Sequence, residues 1–500
     1  MADLTPTLPQ SLSLAMFVTV FVVLMLGFPV AFTLLGTAVA FASLGAALGV
    51  FDFHLLSALP LRIVGLMDND LLQAIPLFLY LGVVLERTTL AADLLEGISG
   101  LFGRHAGGLG IASFVIGALF APMTGAVGAT VLTIGLLALP IMLDAGYDRR
   151  LASGIVCSAG TLGTVLPPSV VLILLGSVMQ GATIEAQLAR GVKVVTALTI
   201  QDIYLGSLAP AGLLLLLYIA YAAGVAIWRP ERCPPPAAYR ERPPSAAAIA
   251  LRLFIPLSLI ILMLASIISG LVYTVEAAAS GAVGATVYAL ARRQLTVARL
   301  SETVRSVMRL TAMVFMLLIG ATTFSLVFRG FEGDLYVTQL LGALPGGTFG
   351  PVAAVMAVCF GLGFFLDALE IVFLVVPIAM PPLLFLGADP VWLAVLTAIN
   401  LQTSFLHPPF GFALFFMRGV APKGIATSDI YIGVIPFLLI QIVMLALVWA
   451  EPGIVTTIPR AWNAPVATAP RPATAAPNPD IVTPEPPDYA PPNLAPPYQR

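Results

Sequence analysis

The sequence predicts an all-α, polytopic membrane protein made of two related halves. Three observations carry this. Of its 500 residues, 59% are hydrophobic and 10% charged, against about 25% charged in soluble domains. Apolar runs near the roughly 20 residues that cross a bilayer recur from Ser11 to Ala450. One pattern of punctuation also occurs twice. Gly146-Tyr147-Asp148 leads to Leu166-Pro167-Pro168, and Gly387-Ala388-Asp389 leads to His407-Pro408-Pro409. The offset is shared: 387−146, 389−148 and 408−167 each give 241, and Pro140 and Pro381 obey it too. Proline-interrupted apolar segments in corresponding places of two halves are the pattern of secondary transporters.

The apolar segments fall at 12–50, 74–86, 109–143, 151–180, 205–228, 253–291, 309–328, 352–386, 391–420 and 431–450. Several are too long for one span. Gly27-Phe28-Pro29 divides the first, and the stretch from Pro122 to Gly128 divides the third. Pro167-Pro168 and Pro408-Pro409 interrupt 151–180 and 391–420, because proline lacks a donor and clashes with the preceding turn. Unwound backbone at membrane depth needs protein or a water-filled cavity to satisfy it. The expected plan is a first membrane half at 1–228 and a second at 253–452, joined by an Arg/Pro-rich cytoplasmic linker at 229–252. A Pro/Ala/Thr-rich tail at 453–500 is too poor in core-forming residues to fold.

Arginine placement orients the chain. Arg104, Arg149-Arg150, the run from Arg229 to Arg252 and the run from Arg292 to Arg309 mark cytoplasmic loops, and Lys423 joins them. Following the spans from there puts Asp148 inside and Asp389 outside, so the repeat is inverted. Segment 109–143 becomes a re-entrant hairpin from the inside, with its tip near Thr124-Gly125. Segment 352–386 becomes one from the outside, with its tip at Asp367 to Glu370.

Net charge is −2, which gives no case for nucleic-acid binding. Cys157, Cys233 and Cys359 show neither disulfide nor zinc spacing. The N-terminus lacks the positive region of a cleavable signal peptide. No Walker A, nucleophile-elbow or zinc-protease motif occurs, so the chain reads as no enzyme, and an ion gradient is the natural energy source.

A cation site needs oxygen ligands, which broken membrane helices supply. Candidates are Thr124, Gly125, Gly128 and Thr130 at the first tip, and Ser158, Gly160, Thr161, Gly163 and Thr164 at the first break. Asp367 and Glu370 mark the second tip, and Asn400, Gln402, Thr403 and Ser404 the second break. Small and hydroxylated residues also serve close helix packing, so both uses stay open. Ionisable groups deep in a membrane segment are costly and usually functional, which singles out Asp367 and Glu370; water reaching the hairpin tip is the bland alternative. His407, beside a helix break, suits an anionic substrate, a proton or plain packing. Glu276 reads as a helix-start carboxylate.

The stretches Gly125 to Thr130, Ala159 to Gly163 with Pro167-Pro168-Ser169, Thr274 to Ala279, Gly363 to Asp367, and Asn400 to Ser404 with Pro408 to Gly411 resemble the large membrane subunit of TRAP transporters, tripartite ATP-independent periplasmic systems of DctM type. The resemblance covers about 12–450 and is nearest the branch associated with mannitol, chloroaromatic or 2-oxo acid uptake. It implies an elevator-type, Na⁺-coupled importer of a small organic acid in a bacterial inner membrane, with no cofactor beyond Na⁺. It also implies a small membrane subunit (DctQ type) and a periplasmic binding protein (DctP type) as partners, with 181–204 and 329–350 facing the periplasm. Ion ligands would map to Thr124–Gly128, Thr161–Thr164, Asp367–Leu369 and Gln402–Ser404. The chain departs from the family where Thr124-Gly125-Ala126 replaces a Ser-Gly-Ser pattern and His407 stands where Thr is common. Loop 181–204 is also longer than usual. The weakened first hairpin leaves a non-transporting scaffold subunit as a rival, and a standalone Na⁺/anion symporter is another.

Overall fold

The computed structural model describes residues 5–124, 127–193, 196–237 and 245–463, and these contain helices and no strand. The first half holds α1 (Leu8–Met25), α2 (Val30–Ala47), α3 (Leu59–Met67), α4 (Asp70–Arg87), α5 (Leu90–Phe102), α6 (Gly108–Thr124), α7 (Val127–Asp144), α8 (Arg149–Thr161), α9 (Val170–Ala189) and α10 (Ile200–Trp228). The second holds α11 (Ala246–Ile268), α12 (Thr274–Ala291), α13 (Val297–Gly330), α14 (Gly333–Gly342), α15 (Phe349–Leu362), α16 (Ala368–Leu374), α17 (Val376–Phe385), α18 (Pro390–Phe405), α19 (Phe412–Val420), α20 (Thr427–Ala450) and α21 (Gly453–Trp462). Seven of these helices are long and apolar enough to cross a membrane, and two bent pairs bring the total to nine among the described residues.

The repeated punctuation has a direct backbone meaning. Gly146 and Gly387 have φ of +91° and +104°, the left-handed conformation that ends a helix and that glycine adopts without a Cβ clash. Two residues later, Asp148 accepts from the amides of Arg150 and Leu151, and Asp389 accepts from those of Val391 and Trp392, all at 3.0–3.1 Å. Each Gly-x-Asp therefore closes one helix and caps the next.

The offset extends well beyond those loops. Adding 241 to the bounds of α6 and α7 gives 349–365 and 368–385, where the structure has α15 at 349–362 and α16–α17 over 368–385. The same shift takes α1 and α2 onto α11 and α12, α5 onto α14, and α8 onto α18. It fails after the breaks, where α9 has 20 residues and α19 has 9.

Both hairpins return to where they start. At the base of the first, the Gly107 amide donates to Cys233 O and the Asp148 amide to Arg232 O, both at 2.8 Å, so one turn of chain ties the two ends. At the base of the second, Thr348 Oγ1 donates to Leu386 O at 3.2 Å. The helix α20 measures the separation of the two bases. Asp429 near its start pairs with Arg150 at 3.0 Å, and Val448 O near its end accepts from Trp392 Nε1 at 2.8 Å. Those 19 residues rise about 28 Å. The hairpins thus enter from opposite ends of the molecule and point toward each other. The Cys233 thiol beside the first base is pushed up in pKa, chiefly by burial.

The remaining helices form a second layer. There α13 runs along α2 and α4, and α12 lies against α4. The linking helices α5 and α14 lead from this layer into the hairpins, α5 packing on α6 and α14 on α17.

Some expectations need correction. Helices α3 and α5 occupy stretches with no assigned segment. Most of 181–204 is helical, because α9 runs to Ala189 and α10 starts at Ile200. The tail read as unfolded from 453 instead begins as α21, and its Val455 is buried beside Gly206. Residues 464–500, and 238–244 in the linker, lie outside the described residues.

Candidate functional site

The two breaks meet in the middle of the molecule. Helix α8 ends at Thr161 and continues as a 3₁₀ turn over Leu162–Thr164, and α18 ends at Phe405. Each is followed by a cis proline pair, Pro167-Pro168 and Pro408-Pro409. Gln402 Nε2 donates to Thr161 Oγ1 at 3.5 Å, and these residues are 241 apart. The pseudo-symmetric positions therefore touch, which puts the symmetry axis of the repeat between these two fully buried side chains.

The hydroxyls around this contact all spend their protons on their own backbone. Ser158 Oγ donates to Gly154 O, Thr161 Oγ1 to Ser158 O and Thr164 Oγ1 to Thr161 O at 2.6–3.0 Å. Thr403 Oγ1 donates to Ile399 O and Ser404 Oγ to Leu401 O, both at 2.7 Å. What remains on each is acceptor capacity. Thr161 Oγ1, its proton already placed, accepts from the Gln402 amide nitrogen. That fixes the orientation of the amide and leaves Gln402 Oε1 buried with no partner. A buried oxygen without a donor is costly. The donor set therefore fits a hard monovalent cation held by hydroxyl, amide and carbonyl oxygens, and it does not fit an anion.

Each break lies against the hairpin of its own half. Gly117 of α6 approaches Ala159 so closely that a Cβ would strike its carbonyl, and Gly160 stands equally close to Val131 of α7. In the second half, Asn400 Nδ2 donates to Met356 O of α15 at 2.8 Å, and a Cβ on Gly363 would strike Ser404.

The second tip is built as a helix start. Asp367 accepts from the Ala368 amide at 2.7 Å, while its own amide donates to Glu370 Oε2 at 3.0 Å, forming a capping box. Both carboxylates therefore have a structural use whatever else they do. Glu276 likewise accepts from the Tyr273 amide at 3.0 Å, as a helix-start carboxylate should.

His407 stands apart from the Thr161–Gln402 contact in character. Its ring stacks on Phe364 at 4.9 Å and meets Phe360 edge-on at 5.4 Å, and Nδ1 is buried without a partner. Gly128 sits under the Phe416 ring, a close-packing role. Gly163 lies within the 3₁₀ turn. Gly125 and the Thr124 side chain lie outside the described residues.

Two polar features escaped the sequence reading. Gln441 is fully buried on α20 beside Tyr218 of α10. Arg62, Glu185 and Arg329 line one cavity between the two layers. A lone amide or carboxylate in an apolar helix was the available signal in both places.

Opposed hairpins, broken helices meeting on a pseudo-two-fold axis and acceptor-lined breaks define a secondary transporter permease. The chain belongs to the DctM component of the tripartite ATP-independent periplasmic transporters, whose family model matches residues 17–454. It is 26% identical to the C4-dicarboxylate TRAP transporter large permease protein DctM of Rhodobacter capsulatus, over 78% of this chain and 86% of that one. It is 26% identical to the ectoine/5-hydroxyectoine TRAP transporter large permease protein UehC of Ruegeria pomeroyi, over 85% of this chain and 93% of that one. The fold resembles the Alcanivorax borkumensis YdaH transporter, with TM-score 0.57 at 17% identity, covering 80% of this chain and 88% of that one. The protein is thus a multi-pass large permease of the bacterial inner membrane, and not an enzyme.

Proposed function

We propose that this permease uses an inward Na⁺ gradient to import a small organic acid, working with a small membrane subunit and a periplasmic substrate-binding protein. The observation that supports Na⁺ best is the unpartnered Gln402 Oε1 beside hydroxyls whose protons are already committed. Thr161, Gln402, Thr403 and Ser404 would hold the ion together with carbonyls freed at the breaks. Bound Na⁺ supplies positive charge at the symmetry axis, where an anionic substrate gains by sitting next to it. The hairpins and broken helices move as one body against the layer of α2, α4, α12 and α13, an elevator motion. Arginine-rich loops at the first hairpin base support a cytoplasmic position for that end.

Uptake into proteoliposomes carrying all three components tests the reading. Uptake should follow an imposed inward Na⁺ gradient and collapse when choline replaces Na⁺. Uptake indifferent to Na⁺ sinks the coupling, and uptake without a binding protein sinks the three-part assembly.

A further inference from the structure

The two halves also differ where α3 and α4 meet. Asn69 caps α4 by accepting from the Leu71 amide at 2.9 Å, and the two helices bend by 56°. The equivalent stretch of the second half, around Leu310, lies inside the unbroken 34-residue α13. The bend opens a cavity of about 310 Å³, within the range of small-ligand sites. Arg62 and Asn69 line it from the bent pair, Ser177 and Glu185 from α9, and Arg329 from α13. Phe373 and Pro377 close it with an apolar wall.

Its charges are unbalanced, with two guanidiniums against one carboxylate. Glu185 takes Arg329 in a fork, Nη1 to Oε1 and Nη2 to Oε2 both at 2.8 Å. That is the two-point geometry by which arginine recognises a carboxylate. Arg62 lines the same cavity but makes no ion pair among the described residues. The fork also joins the two layers, since Glu185 belongs to the broken-helix body and Arg329 to the layer it moves against.

We propose that this cavity is an entry site for a carboxylate, in which an incoming carboxylate displaces Glu185 from Arg329 and is held by Arg329 and Arg62 together. The apolar wall would take the carbon skeleton. Calling the carboxylate a substrate rests on the importer reading above; the site itself rests on the cavity and its charges. Asp70 lines an adjoining cavity of about 500 Å³ on the far side of Asn69, so only the Arg62 side offers net positive charge.

The test is a titration of the full-length protein in nanodiscs with sodium pyruvate, with sodium chloride as the matched control, read as the shift in thermal unfolding midpoint. Glu185→Gln releases Arg329, so the pyruvate concentration for half the shift should fall about tenfold. Arg62→Gln should raise it at least about tenfold, and Arg62→Lys should recover part of the loss. A merely structural ion pair predicts that Glu185→Gln binds no better than the wild type. That result, or no pyruvate-dependent shift in either protein, overturns the site. Association with labelled binding protein separates the two sources of a carboxylate. If Arg62→Gln weakens that association and leaves the pyruvate titration unchanged, the partner's acidic side chain is the ligand and the proposal fails. The importer reading fails separately: wild-type proteoliposomes then show no Na⁺-driven uptake while the Glu185→Gln gain persists.

Discussion

The first break and the second break share one backbone plan and carry different chemistry. Shifting by 241 sets Thr161 against Gln402, Ala159 against Asn400, Gly163 against Ser404 and Leu166 against His407. At the second tip, Asp367 and Glu370 answer to Ala126 and Ala129. Helix caps, hairpin lengths and proline pairs are common to both halves, while nearly all side chains with amide or carboxylate oxygens belong to the second. Symmetry is thus kept where it sets the path of the chain and dropped in the oxygen-bearing side chains at the breaks and tips. The two sides of the Thr161–Gln402 contact should accordingly respond very differently to substitution.

The largest expected effect tests the packing that holds the breaks in place. Gly154 of α8 crosses Gly433 of α20 so closely that a Cβ on either would strike a backbone carbonyl. Gly154→Leu should cost about 3 kcal/mol, read as a lowered unfolding midpoint in detergent. The related position already carries Val395, fully buried, and Val395→Leu should cost about 1 kcal/mol. Equal costs would mean that the crossing is looser than its geometry.

Next comes the contact on the axis. Gln402→Leu removes a buried oxygen that no group satisfies, so stability should hold or rise. Na⁺-driven uptake should nevertheless fall about 100-fold, if the oxygen contributes about 3 kcal/mol to a charged ligand. Thr161→Val should lose less, because its backbone carbonyl remains. A destabilised Gln402→Leu protein with normal Na⁺ dependence would make the residue a packing element.

The second tip separates cap from ligand. Asp367→Asn keeps a good N-cap and should leave stability within about 0.5 kcal/mol, whereas Asp367→Ala should cost about 1 kcal/mol. If Asp367 also serves the ion, the Na⁺ concentration for half-maximal uptake rises in both variants. If it only caps, Asp367→Asn transports like the wild type.

The smallest effect concerns the bend found in one half alone. Asn69→Ala should cost about 1 kcal/mol through the lost cap. The exposed Met308→Ala exchange in the straight helix should change little, by less than about 0.5 kcal/mol. Unfolding midpoints of the two variants give the comparison.

Much of the fold was legible because it rests on local rules. Gly-x-Asp reads as a helix stop followed by a helix start, and a proline pair as an interruption. The errors have a physical pattern as well. Helices α3 and α5 carry Arg62 and the Asp93–Glu96 pair within short apolar stretches, so hydropathy did not mark them. Helix α21 was hidden by a proline-rich composition, although Val455 finds a buried place beside Gly206.

By itself, the sequence determined that the chain lies in a membrane, that its halves repeat at one spacing, and that the two proline pairs interrupt helices. These follow from hydropathy, caps and proline, which act over a few residues. Only the tertiary structure decided that Thr161 meets its own symmetry mate and that Arg62, Glu185 and Arg329 share a cavity. Those facts depend on residues 123 to 267 positions apart in the chain, and only packing brings such residues within reach of one another.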